Sequence, residues 1–154
     1  MKNVLLITSP LADAPKAVAY ALRRAQAIGA GLVAVAVLDA DLTRRLVTTL
    51  TNVGFVGEKV SEDVAQTLAR EQRTQAESLL HHIAEQAKNA GIPFTPLIEE
   101  TDPREWCGRV AALHDVHSVV LVAEKRSWLT RLLSGAATLK LPALAGCEVK
   151  VMED

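Results

Sequence analysis

The stretch Ser-Val-Val-Leu-Val-Ala, residues 118–123, continues directly into Glu-Lys-Arg-Ser-Trp, residues 124–128. Its nearly continuous apolar character is typical of a parallel β-strand that is buried on both faces of a sheet. In open α/β sheets, ligands bind beyond the carboxyl ends of the strands, where glycine-rich loops let backbone amides contact phosphates. Here charged and bulky residues follow the strand, and the next glycine is Gly135. The stretch therefore predicts an α/β sheet without the usual glycine loop at its ligand-binding edge.

Strands and helices alternate on both sides of this stretch. Short apolar runs predict strands, and apolar residues that recur every three or four positions predict helices. The predicted strands cover residues 2–8, 31–38, 92–98, 116–123 and 147–152. The predicted helices cover residues 13–29, 41–54, 61–89, 102–114 and 135–139. Asp13, Ser61 and Asp102 are the predicted N-caps of the first, third and fourth helices, because their side chains can accept hydrogen bonds from free backbone amides.

This order of elements predicts a three-layer α/β/α fold with a five-stranded parallel sheet. A strand, a helix and a second parallel strand form a crossover that is right-handed in nearly all proteins. The third strand contains Pro93 and Pro96, which lack the backbone N–H that a central strand uses, so this strand is expected at an edge. The hydrophobic content of 49% can bury one substantial core, and residues 1–154 are expected to form one domain.

Charge and hydropathy argue against several functional classes. The net charge is −1 and no block of like charges occurs, so the pattern does not predict binding to DNA or RNA. The longest apolar run, residues 32–38, is far shorter than the roughly 20 residues that span a bilayer, so no membrane segment is expected. Residues 4–7 are too short an apolar run for a secretory signal. We therefore expect a cytoplasmic protein.

The cysteines and histidines do not form a recognisable catalytic or metal-binding pattern. Cys107 and Cys147 are too far apart for a zinc motif and too few for a disulfide framework. Cys107 lies near a helix start, where a thiol can be reactive, but a buried packing role is favoured. His81 and His82 are adjacent on a helix and point about 100° apart, so they are expected on the surface rather than at a shared metal. We expect no catalytic residues and no metal site.

Two further histidines flank the turn before the fourth strand. His114 and His117 stand at the amino end of that strand, which is opposite the usual ligand edge, so a chemical role is not expected. The acidic run at residues 99–102 is likewise a weak candidate for a cation site, because Asp102 is already predicted as a cap.

Four groups of short motifs are similar to the universal stress protein family. They are Val4-Leu5-Leu6-Ile7 with residues 17–22, residues 30–32 with 37–39, Thr101-Asp102-Pro103, and residues 131–135 with 147–149. Together they cover the chain in the order found in the family. The resemblance implies a sheet of order 3-2-1-4-5, like that of adenine nucleotide alpha hydrolase-like domains. It also implies a link to the stress response and a homodimer formed through the last strand.

The ATP-binding members of this family carry Gly-x-x-Gly and, after a spacer, Gly-Ser or Gly-Thr beyond the fourth strand. The corresponding residues here are 123–126, a spacer of eight residues, and Gly135-Ala136. Ser9 stands where the first strand of such members ends in an aspartate that contacts the nucleoside. The resemblance thus implies a vestigial nucleotide cleft formed by Ser9, Val37, Ala123, Lys125, Arg126, Gly135 and Ala136. We expect no bound cofactor, and in particular no ATP.

The expected function is that of a non-catalytic, dimeric stress-response protein, with an unidentified protein as a possible partner. Trp106 is expected in the core, whereas Trp128 would either contact a partner or pack over the vacated cleft. One alternative is a nucleotide-binding switch whose remodelled phosphate site uses Lys125, Arg126 and Arg131.

A second alternative is a hydrolase of a phosphate or nucleotide substrate. It would need a base, a nucleophile or a metal at the carboxyl edge of the sheet. The polar residues expected there are Ser9, Asp13, Asp39 and Glu124, and their spacing does not define a catalytic pair.

Overall fold

The computed structural model describes residues 2–9, 14–38, 48–49, 52, 58–100, 103–123 and 147–153, with only the backbone described at 58–61, 103–105, 123 and 153. Its elements are β1 (Asn3–Thr8), α1 (Pro15–Ile28), β2 (Gly31–Val37), α2 (Glu58–Asn89), β3 (Phe94–Glu99), α3 (Pro103–His114), β4 (Val116–Ala123) and β5 (Glu148–Glu153). All five predicted strands are present, and so are three of the predicted helices. The other two helices lie outside the described residues, except that Thr48, Thr49 and Asn52 are helical.

The five strands form one parallel sheet in the order β3-β2-β1-β4-β5, which confirms the predicted topology. The strand β1 lies at the centre, and all six of its residues pair with β2, from Asn3 beside Gly31 to Thr8 beside Ala36. The strand β3 lies at one edge, as its prolines predicted. The strand β5 forms the other edge, and each edge strand pairs on one side only within the described sheet.

Side chains of β1 alternate between two apolar clusters because successive residues of a strand point to opposite faces. Val4 and Leu6 belong to a cluster that includes residues of α1 and α2. Leu5 and Ile7 belong to a second cluster, which includes Trp106 of α3. These four side chains are fully buried, so the central strand is covered on both faces. The three-layer arrangement predicted from the sequence is therefore confirmed.

The helix α1 begins at Pro15, and its N-cap is Ala14 rather than the predicted Asp13. Proline is favoured in the first turn because its missing N–H would have no partner there. The carbonyl of Ala14 accepts a hydrogen bond from the amide of Val18, and none of the described side chains caps this end. The helix ends as predicted at Gly29, whose φ of 64° lies in the left-handed region that glycine adopts without strain.

The helix α2 begins at Glu58, which is earlier than the sequence predicted. Ser61 therefore lies inside the helix, and its prediction as the N-cap is wrong. Glu58 and Lys59 are favourable helix residues, so the helix extends back through them towards Gly57. At the other end, Gly91 adopts a φ of 70° and stops the helix as predicted. In the described part of the chain, none of the helices has the length and apolar character needed to cross a membrane.

Candidate functional site

The carboxyl ends of β1 and β4 meet at the point where the chain changes direction across the sheet. After β1 the chain passes into α1 on one face, whereas α3, which leads into β4, covers the opposite face. In the order β3-β2-β1-β4-β5, β1 leads to β2 on one side and β4 leads to β5 on the other, and this reversal defines a crevice beyond the carboxyl ends of the two central strands. Crevices of this kind are the usual ligand sites of open α/β sheets.

The strand registers bring three of the sequence-predicted site residues together at this crevice. Thr8 pairs with Ala36, which places Ser9 and Val37 side by side at the ends of β1 and β2. Ile7 pairs with Leu121, so Ala123 at the end of β4 lies on the other side of Ser9. The remaining predicted residues, Lys125, Arg126, Gly135 and Ala136, lie outside the described residues.

Hydroxyl and apolar groups line the described rim of the crevice. Thr8 is buried, and its Oγ1 donates a hydrogen bond to the carbonyl oxygen of Ser9 at 3.2 Å. Ser9 is half-buried, whereas Val37 and Leu38 are buried. Neither Thr8 nor Ser9 carries a charge, so the end of β1 supplies no carboxylate to a ligand. The described rim is therefore uncharged.

Two ion pairs connect the end of β3 to helices on opposite faces of the sheet. Arg109 of α3 donates to Glu99 at 2.5 Å, and the Glu99 side chain is only 18% exposed. Arg73 of α2 donates to Glu100. Both carboxylates are therefore neutralised by arginines, which argues against their use as metal ligands. No spacing signal in the sequence indicated these partners, because the pairs join separate elements.

The histidines occupy the positions that the sequence predicted. His81 lies 3.4 Å from Glu85, and both side chains are exposed on α2. His82 is exposed as well, so the prediction of a surface location for both is confirmed.

The other two histidines lie at the amino edge of the sheet, opposite the crevice. The backbone carbonyl of His114 accepts a hydrogen bond from the Asn3 side chain. The backbone amide of Asn3 donates to the backbone carbonyl of Asp115 at 2.9 Å. His117 contacts the hydroxyl of Ser118 at 2.8 Å through its Nδ1. The two Asn3 contacts tie the backbone of the turn before β4 to the start of β1.

The two cysteines are packing residues in the described structure. Cys107 is fully buried in the cluster under α3, which confirms the favoured prediction. Cys147 is half-buried, and its Sγ donates to the carbonyl of Val116 at 3.4 Å. Burial raises the pKa of the Cys147 thiol above its ordinary value.

We expect both cysteines to react slowly with iodoacetamide in the native protein. The thiolate is the nucleophile, and a raised pKa lowers the thiolate fraction of Cys147 at any pH below that pKa. Its alkylation rate should therefore rise with pH through the mildly alkaline range, while Cys107 stays unmodified. Mass spectrometry of timed samples, with the urea-unfolded protein as the control, measures both rates. Rapid alkylation of native Cys107 at neutral pH would contradict its buried role.

The structure is similar to several solved universal stress proteins. UspA from Lactobacillus plantarum superimposes with a TM-score of 0.64 at 17% identity, over 99% of this chain and 96% of that one. The Archaeoglobus fulgidus universal stress protein in complex with dAMP gives 0.60 at 13% identity, over 98% and 97%. A universal stress protein in complex with cAMP gives 0.58 at 15% identity, over 99% and 96%. At these identities the likeness establishes the fold.

The comparison with family models is independent of the structure. The model of the universal stress protein family matches residues 1–152. Among curated proteins, none matches this chain significantly in sequence.

Proposed function

Because this chain belongs to the universal stress protein family, we propose that it is a non-catalytic, dimeric stress-response protein whose crevice does not bind ATP. The observation that carries this proposal is the end of β1, where Thr8 and Ser9 stand in place of a carboxylate. The Thr8 hydroxyl donates its proton to the Ser9 carbonyl, and neither hydroxyl carries the negative charge of the missing carboxylate. The residues at this position do not fit the nucleoside half of ATP.

The sequence after β4 supports the same conclusion for the phosphate half. Residues 124–134 contain no glycine, so backbone amides there cannot approach a phosphate as closely as glycine allows. Loss of one hydrogen bond to a charged group costs about 1.5–3 kcal/mol, and each 1.4 kcal/mol is about tenfold in affinity. A site that lacks both the carboxylate and the glycines would therefore bind ATP several orders of magnitude more weakly than a site that has them.

The two ion pairs at the carboxyl end of β3 support a non-catalytic role. Glu99 and Glu100 are each bound to an arginine, so both carboxylates are already engaged in ion pairs. Catalysis by a hydrolase would require a nucleophile and a base within hydrogen-bond reach of each other. Ser9 lies at the crevice, but neither glutamate is available to activate it.

The edge strand β5 supports the proposal of a homodimer. Its outer side presents unpaired backbone groups within the described sheet, and such edges pair readily with a second copy. Val151 on β5 is one of two large apolar side chains that are exposed in the described part of the chain, and it is 42% exposed. A two-fold contact through β5 would cover this side chain in both copies.

A second candidate function is favoured by two of the structural neighbours. They are described as complexes with dAMP and cAMP, which carry one phosphate and need no triphosphate loop. A mononucleotide in the crevice would lie beside Ser9, which is half-buried at the end of β1. In this case Lys125 and Arg126 would supply the charge for a single phosphate.

We expect millimolar Mg-ATP to leave the melting temperature of the protein unchanged. A micromolar site would add about 4 kcal/mol to the free energy of unfolding at that concentration, which a thermal-shift measurement detects easily. Titrations with AMP and cAMP test the second candidate in the same assay, and Mg-GTP serves as the control for nonspecific phosphate binding. A shift with Mg-ATP that saturates in the micromolar range would refute the proposal, and one with AMP or cAMP alone would favour the second candidate.

A further inference from the structure

A groove of about 480 Å³ lies between α2 and the edge strand β3, away from the crevice at the carboxyl edge. Its lining residues are Leu80, Ala84, Phe94, Pro96, Ile98, Glu77 and His81. The volume falls within the range of about 300–1,000 Å³ that is typical of small-molecule sites. The surface is mostly apolar, and the polar groups come from one helix. This combination of an apolar body and few polar groups is typical of a ligand site.

The backbone of β3 argues against an added peptide strand as the occupant of this groove. The carbonyls of Pro93 and Glu99 accept hydrogen bonds from Leu32 in β2 and from Leu38 directly after it. In a parallel ladder the backbone groups of residues 94, 96 and 98 therefore point outward. Residue 96 is proline and has no N–H at the middle of this outer edge. A continuous ladder with a peptide strand is therefore interrupted, as at other edges that carry proline. The groove is better suited to a ligand that contacts side chains.

The charges at the rim select the kind of ligand. Glu77 is exposed and has no ion pair among the described residues. Arg73 lies one turn earlier on α2, but it is bound to Glu100 and therefore does not neutralise Glu77. His81 contacts a second carboxylate, Glu85, at 3.4 Å. Among the described residues, Glu77 is the one carboxylate that lines the groove, and its charge favours a positively charged group on the ligand.

We propose that this groove binds a small organic cation that has an apolar body and one ammonium group. The body packs against Leu80, Phe94 and Ile98, and the ammonium lies beside Glu77. The ammonium stays at the exposed rim, so it keeps part of its hydration while the apolar body leaves water. This site is separate from the crevice and does not depend on whether the crevice binds a nucleotide.

The test uses three probes of nearly equal size that differ in charge. They are 2-phenylethylamine, 2-phenylethanol and 3-phenylpropionate, titrated into the ¹⁵N-labelled full chain and followed by amide chemical shifts. We expect a saturable response to the amine, centred on residues 77–84 and 94–98. The alcohol should bind about fivefold more weakly, since an exposed charge pair contributes up to about 1 kcal/mol, and the acid more weakly still.

Two variants and a matched control separate charge from shape. Glu77→Gln should weaken amine binding about fivefold and leave binding of the alcohol unchanged. Glu71→Gln removes the same charge from an exposed position of α2 outside the groove, and it should have no effect. Ala84→Leu keeps the helix and the charges but fills the groove, so it should remove the response to all three probes. Equal binding of the three probes, shifts centred elsewhere, or no saturable response at millimolar concentration overturns the proposal.

Discussion

Replacing Trp106 with alanine is expected to lower the free energy of unfolding by about 3–5 kcal/mol, which is a large part of the 5–15 kcal/mol typical of a domain. Trp106 is fully buried in the first turn of α3 and belongs to the cluster that contains Ile7, Val37 and Leu121. Its removal would leave a cavity beneath the carboxyl ends of the central strands. Urea unfolding at fixed protein concentration measures the loss, and the concentration is held constant because the proposed dimer adds to apparent stability.

The indole nitrogen of Trp106 provides a sharp control for this prediction. Its Nε1 is buried and has no hydrogen-bond partner among the described residues. Trp106→Phe removes this unsatisfied donor together with part of the ring, so the lost packing is offset by a lower desolvation cost. We expect the phenylalanine variant to lose no more than about 1.5 kcal/mol. If both variants were equally unstable, the indole nitrogen would have to make a stabilising hydrogen bond in solution.

The sequence predicted the fold well because its strongest signals are repeated and local. Continuous apolar runs identified the buried strands, such as residues 116–123, and two prolines identified β3 as an edge. The strand order came from the family resemblance, since alternation of strands and helices alone permits several orders. Helix starts were predicted less well. Ser61 has the right chemistry for an N-cap, but favourable helix residues extend α2 beyond it, because capping adds only about 1 kcal/mol.

The candidate site itself stays a prediction, and only the positions of three of its residues are described. The family resemblance grouped Ser9, Val37 and Ala123, and the strand registers place these residues at one edge because the carboxyl ends of parallel strands lie together. The ion pairs of Glu99 and Glu100 join different elements, and no periodicity encodes such contacts. The groove beside β3 was missed for the same reason. Its surface combines one face of α2 with alternate residues of β3, and each set separately is typical of ordinary packing.

Replacing Val151 with glutamate is expected to weaken the proposed dimer on the order of a hundredfold. Within one subunit the change is tolerated, because the valine side chain is already 42% exposed. Its neighbour Lys150 lies over the Tyr20 ring on the α1 face of β5, and Glu148 is bound to Arg24 there at 2.6 Å. Since side chains alternate along a strand, the new carboxylate would lie on the opposite face, away from these cations. Light scattering over a dilution series measures the change in Kd.

The size of this effect follows from the symmetry of the contact. In a two-fold interface the same substitution occurs on both sides, so a cost of about 1.4 kcal/mol per copy is counted twice. Val151→Thr is the matched control, because it keeps the branched shape without adding charge and should leave the dimer nearly unchanged. A wild-type protein that is monomeric at tens of micromolar would refute the dimer itself. A glutamate variant as dimeric as the wild type would instead place the interface away from β5.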